Sequence, residues 1–182
     1  MGDLTTLNAV KAYLPLNSNA DDTLLGTLVT AVSAAIETWC GRTFALASYT
    51  DTYHGRGGDQ LLLRHGPVVS VTSVSVDGVI IPQQPAVGQR GWVLDGSLLY
   101  FVGGCFTRGV QNVAVQLTAG FLVTPAEVAQ AAVRWVARLY RERERLDVRS
   151  KGAANETTTY DIGVMPAFVQ LALAPYRRVA AF

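Results

Sequence analysis

The apolar residues of this chain change period twice, and no other feature limits its possible folds as much. From about residue 48 they recur at every second position. In QLLLRHGPVVSVTSVSVDGVIIP, Val69, Val71, Val74 and Val76 alternate with serine and threonine, as strands with one buried face do. The step from Val71 to Val74 breaks the phase and predicts a bulge. Asp77-Gly78 predicts a tight hairpin turn, and further strands are expected at residues 92–94, in SLLYFV and in VQNVAVQLTAGF. The middle third is therefore expected to be an antiparallel sheet with exposed turns.

On either side of it the period is helical. In LTTLNAVKAYLP, Leu4, Leu7, Val10 and Leu14 recur at helical spacing, with Thr5 or Thr6 as cap and Pro15 as stop. In the second helix the stripe is read as Leu24, Leu28, Val32, Ala35 and Trp39, flanked by Leu25, Val29, Ile36 and Cys40. Asp21 or Asp22 suits its positive start and Gly41 its left-handed end. A third helix is expected from Pro125, at its first position, to about Leu146, with Val128, Ala132, Trp135, Leu139 and Leu146 on one side. Arg134, Arg138, Arg141 and Arg145 fall on the opposite side. The polar segment DVRSKGAANETTTYDIGV reads as a long loop, and a short helix over residues 166–173 leads into the ending APYRRVAAF. The fold class is then α+β: a bundle of about four helices, an inserted antiparallel β-sheet or hairpin region and an extended C-terminal tail. The expected parts of this single domain are 1–47 (helices), 48–122 (β insertion), 123–146 (long helix), 147–165 (polar loop) and 166–182 (short helix and tail).

At 182 residues the chain can bury a core, and with 49% hydrophobic and 16% charged residues it hides much surface, within itself or in an assembly. A net charge of +1 argues against wholesale wrapping of nucleic acid. The start MGDLTTLNAVKAYL has no basic leader before an apolar run, which predicts a cytosolic product with no membrane span. Cys40 and Cys105 lie far apart, outside any C-x-x-C pair, and read as free thiols.

The search for chemistry is negative. His54 and His65 lie in no metal-ligand spacing, there is no G-x-S-x-G elbow, and the acidic residues are scattered. No catalytic residue, metal or cofactor is expected. HGRGGD (54–59) is glycine-rich but lacks the lysine and hydroxyl of a phosphate loop; it reads as a hairpin tip. Four arginines without a lysine on one helix face suit bidentate pairing with carboxylates or phosphates, although a solvated amphipathic face looks the same.

The order of segments resembles the head-tail connector, or adaptor, family of long-tailed bacteriophages. The resemblance is carried by LNAVKAYLPLNSNADDTLLGTLVTAVSAAIETWCGRTF, LLLRHGPVVSVTSVSVDG, LTAGFLVTPAEVAQAAVRWVARLYRERE and MPAFVQLALAPYRRV, which cover well over half of the chain. The chain departs from the pattern around IIPQQPAVGQRGWVLDG and in the loop 147–165. The likeness implies a non-enzymatic component of the virion neck, assembled in the bacterial host cytoplasm. It would form a twelvefold ring of copies of itself beneath the portal protein, extend the DNA channel close to the genome without reading its sequence, and offer a docking surface to a stopper or tail-completion protein. The related alternatives are a stopper or tail-completion neck protein, or a non-catalytic nucleic-acid-binding domain. By the same likeness Pro175, Tyr176, Arg177, Arg178, Val179 and Phe182 form a portal-binding peptide, and Arg134, Arg138, Arg141 and Arg145 face the channel or a neighbouring subunit. Removal of residues 175–182 is expected to leave the fold, and its thermal midpoint, little changed.

Overall fold

The computed structural model describes residues 2–143, 150–153, 156–159 and 165–178. The chain divides into two compact units, Met1–Phe44 with Thr124–Phe182, and Ala45–Val123.

The first unit is helical. Helix α1 (Leu7–Tyr13) starts where the Thr6 hydroxyl accepts the Ala9 N–H at 3.2 Å, so of the two threonines offered by the sequence it is Thr6 that caps. Helix α2 (Asp22–Cys40) ends on Gly41, whose φ of 64° is the left-handed cap expected there. Asp21 takes the N-cap position but makes no capping bond. Its carboxylate instead accepts the Tyr140 hydroxyl and lies 3.8 Å from Arg143, while Asp22 pairs with Lys11 at 2.7 Å. Helix α3 (Ala126–Glu142) has Pro125 as its N-cap, one position before the place expected, and touches α1, α2 and α4 (Ala167–Leu173).

Both long helices are rotated from the faces read in the sequence. In α2 the buried side chains are Leu25, Val29, Val32, Ile36 and Cys40, with Ser33 and Glu37, and Leu24 is exposed. In α3 they are Val128, Ala131, Ala132, Val133, Val136, Ala137 and Tyr140, while Trp135 and Leu139 are half-buried. Among the described residues, α2 is the one helix long and apolar enough to cross a membrane. Its apolar stripe is however occupied by the helical unit, and two polar groups in that stripe are tied down. The Ser33 hydroxyl accepts the Leu4 N–H at 3.0 Å and donates to the Val29 carbonyl at 2.7 Å; Glu37 Oε1 accepts the Phe44 N–H at 3.0 Å.

The segment expected as a polar loop contains two short strands, β8 (Ser150–Ala153) and β9 (Glu156–Thr159), paired antiparallel. Between α4 and the described end lies a 3-10 turn, Ala174–Tyr176, in place of an immediate extended exit at Pro175; extended backbone begins at Arg177, with φ −68° and ψ 128°.

The second unit holds two antiparallel sheets. The strands are β1 (Ala47–Gly55), β2 (Gln60–Leu62), β3 (Val68–Val76), β4 (Val79–Ile81), β5 (Gly91–Asp95), β6 (Leu98–Val102) and β7 (Gly109–Ala119). One sheet has the order β1-β7-β3-β4 and the other β2-β6-β5. β7 is the spine of the first, since Leu117, Val115 and Val113 face Tyr49, Asp51 and Tyr53 on one side and Val71, Val74 and Val76 on the other. Its pairing with β3 slips between Val71 and Ser73, where the phase break predicted a bulge, and also between Val68 and Ser70. The second slip turns Val69 outward, so it is 58% exposed instead of sharing the buried phase of Val74 and Val76. Asp77 and Gly78 both have positive φ, 51° and 79°, which suits the right-handed twist of β3 and β4. Tyr53, Val74, Val113 and Val115 from the first sheet and Trp92, Leu99 and Phe101 from the second belong to one buried cluster.

HGRGGD is not a hairpin tip. β1 and β2, which flank it, belong to different sheets, so the segment carries the chain from one sheet to the other. It is pinned by the Gly57 N–H on the Phe106 carbonyl and the Phe106 N–H on the Gly58 carbonyl, both 2.8 Å. At Gly55 a Cβ would lie 1.8 Å from the Thr107 carbonyl oxygen, so only glycine fits.

Candidate partner-binding surfaces of the helical unit

Positions 134, 138 and 141 of α3 differ by four and three residues, so their side chains stack along one face over about 10 Å of helix. The Arg134 guanidinium lies over the Phe168 ring of α4, 4.3 Å from its centre. Arg138 Nε donates to Glu142 Oε1 at 2.9 Å, an i,i+4 pair about one third exposed. The three arginines, Glu142, Phe168 and Tyr13 line a surface groove of about 310 Å³. Arg134 and Arg141 have no carboxylate partner among the described residues. The structure thus brings together three of the four arginines singled out in the sequence; Arg145 lies outside the described residues. Phe168 and Tyr13 were not foreseen, because nothing in an isolated helix period tells which neighbour its polar face will meet.

The second surface is the C-terminal segment on the end of α2. α2 has no basic residue in its last turn to balance the negative end of its dipole. The segment brings cations there: the Arg177 guanidinium sits over the Trp39 ring, 5.2 Å from its centre, and the Arg178 backbone N–H donates to the Cys40 carbonyl at 2.8 Å. That bond satisfies one of the carbonyls that every helix end leaves without an intrahelical partner. The Tyr176 ring is tilted against Phe44 at 6.0 Å, and its hydroxyl donates to Glu127 Oε2 at 3.1 Å. Burial, and then that carboxylate, hold the Tyr176 phenol above its ordinary pKa. Under this seat, burial pushes the Cys40 thiol up to about 11, although Arg42 and Arg177 pull it down. Pro175, Arg177 and Arg178 remain exposed, and the Arg178 guanidinium has no carboxylate partner among the described residues. Val179 and Phe182 lie outside the described residues. Sequence reasoning missed Trp39, Phe44 and Glu127 as the seat. The available signal was an α2 end without a cation, followed far along the chain by an Arg-Arg pair.

The histidines serve the β unit. His54 Nδ1 accepts the Gln111 N–H at 2.9 Å, and His65 stacks on Tyr49 at 3.7 Å with Nε2 3.4 Å from Asp51. Nothing in either arrangement places a nucleophile beside a base.

The head completion protein family matches this chain over residues 3–179. Among solved structures, the neck of an empty GTA particle computed with C6 symmetry is similar in fold, with a TM-score of 0.61 and 22% identity over 98% of this chain and 92% of that one. The neck of the native GTA particle computed with C12 symmetry gives a TM-score of 0.58 at 20% identity, covering 100% of this chain and 96% of that one. A chain from the virion of the native gene transfer agent particle gives 0.59 at 21%, with the same coverage. Comparison with curated proteins finds no match.

Proposed function

Because the chain belongs to the head completion protein family, structural proteins of the virion neck that join head to tail, we propose that it assembles as a closed ring, a dodecamer, beneath the portal. There it extends the DNA channel and presents a surface to a stopper or tail-completion protein. The observation that carries this reading is the family match over nearly the whole chain. A fold shared with necks that were computed with sixfold and twelvefold symmetry supports the ring. The role is mechanical and calls for no catalytic step.

In this reading Pro175, Tyr176, Arg177, Arg178, Val179 and Phe182 dock on the portal. The exposed arginines offer donors for carboxylates or carbonyls, and Tyr176 exchanges its seat against Phe44 and Glu127 for one on the partner. Arg134, Arg138, Arg141 and Arg145 belong to an interface or to the channel lining. With a net charge of +1, the ring does not grip DNA that must move through it, since each neutralised phosphate would add affinity.

Native mass measurement of portal complexes formed with the chain tests the assembly. Many copies per portal ring, in the ratio of a closed ring, are expected; a single copy, or none, overturns the proposal. A chain lacking residues 179–182 is expected to lose attachment to portal-bearing heads, and normal attachment would place the anchor elsewhere.

A further inference from the structure

From the groove on α3 we infer a docking site for an acidic helix of a different protein, one presenting two carboxylates about two turns apart. This rests on the neck reading only for where such a partner would be met. Among the described residues the groove is lined by three guanidiniums and one carboxylate, that of Glu142, so two further negative charges would balance these groups. Of the three arginines in the groove, Arg134 and Arg141 have no carboxylate partner among the described residues, and they are seven residues apart. The rise between them is about 10 Å, the rise between positions i and i+7 of a second helix. Arg134 is already held over the Phe168 ring, which restricts its side chain before the partner arrives.

The described helices of a second copy of this chain do not offer the matching pattern. α1 and α4 carry no acidic residue, and in α2 and α3 the acidic positions, 22 and 37, and 127 and 142, lie fifteen residues apart. A nucleic-acid backbone is also a poor match, because the groove contains the Glu142 carboxylate, which repels phosphate, and the Phe168 ring, which offers it no donor. The remaining chemistry is a protein helix whose carboxylates meet the two arginines and whose apolar flank meets the rings.

The probe is a capped, alanine-rich helical peptide of about 15 residues with two glutamates seven residues apart, labelled for fluorescence anisotropy and titrated with the full chain. Binding is expected to weaken at least about tenfold when both glutamates are replaced by glutamine, and by a similar factor with the Arg134→Gln/Arg141→Gln chain. Arg134→Lys/Arg141→Lys keeps the charge without the paired donors and is expected to fall between; it also reports on the site should the glutamine variant fail to fold. Three results overturn the inference. They are equal binding of the glutamate and glutamine peptides, displacement of the peptide by random duplex DNA, and loss of self-association in the double variant, which would make a second copy the occupant. The ring is read out separately by portal-complex mass, so peptide binding without ring formation would sink the neck reading and leave the groove assigned.

Discussion

Tyr53 is buried in the β unit, and its hydroxyl is used twice, donating to Asp51 Oδ2 and accepting the Arg64 N–H, each at 3.0 Å. The Arg64 guanidinium lies over the same ring at 4.8 Å. Burial first, then the neighbouring Asp51, push this phenol up to about 12 from the ordinary 10, against the pull of Arg64. The folded state resists ionisation of the group, so its contribution to stability is complete below pH 10 and is lost as the pH rises through about 12. In a spectroscopic alkaline titration one phenol is therefore expected to ionise near 12, and Tyr53→Phe should remove that step and flatten the fall in stability between those values. An unchanged titration would show that the step belongs to another tyrosine. Asp51 lies two residues before Tyr53 on β1 and shares its face by strand alternation alone; the place of Arg64 at the ring was not legible in the sequence, since the connection from β2 to β3 brings it there.

At the scale of elements, the period named the helices and missed their azimuth. α2 is apolar over a wide arc, with Leu24, Leu25, Leu28, Val29, Val32, Ile36 and Trp39 all in contention, so a stripe and its flank score alike. Packing chose Leu25, Val29, Val32, Ile36 and Cys40. In α3 the buried face is rich in alanine, Ala131, Ala132 and Ala137, which lets neighbouring helices approach closely, and it leaves the larger Trp135 and Leu139 at the margin. The C-terminal segment gives the same lesson. Proline and the Arg-Arg pair suggested an arm indifferent to the fold, yet residues 176–178 cap α2 through the Cys40 carbonyl and contact Trp39 and Glu127. Truncation after Ala174 is accordingly expected to cost about 1–2 kcal/mol in denaturant unfolding. No change in the midpoint would mean that these contacts contribute nothing.

The whole molecule is two units, each with a core of its own. The β unit is continuous in sequence, Ala45–Val123, and its buried cluster from Tyr53 to Ala119 draws on both sheets. Residues 45–123 expressed alone are therefore expected to fold, melting cooperatively with slow amide exchange along β7; a broad, non-cooperative melt would show that the core needs the helices. The helical unit is assembled from two distant stretches, so the loop-closure cost of the intervening chain falls on it.

What the sequence determined by itself is what depends on neighbours in the chain. The alternation around Val74, the Asp77-Gly78 turn, the Gly41 cap, a threonine cap on α1 and the short helix Ala167–Leu173 all follow from local geometry, and segment order sufficed for the family resemblance. What only the tertiary structure decided is what depends on residues far apart meeting: the split of the strands into two sheets, the sheet-to-sheet course of HGRGGD, the rotation of α2 and α3, and the seats of Arg134 on Phe168 and Arg177 on Trp39. Local periodicity fixes which side chains share a face, but the partner of that face is chosen by packing across tens of residues, where a single chain pattern carries no signal.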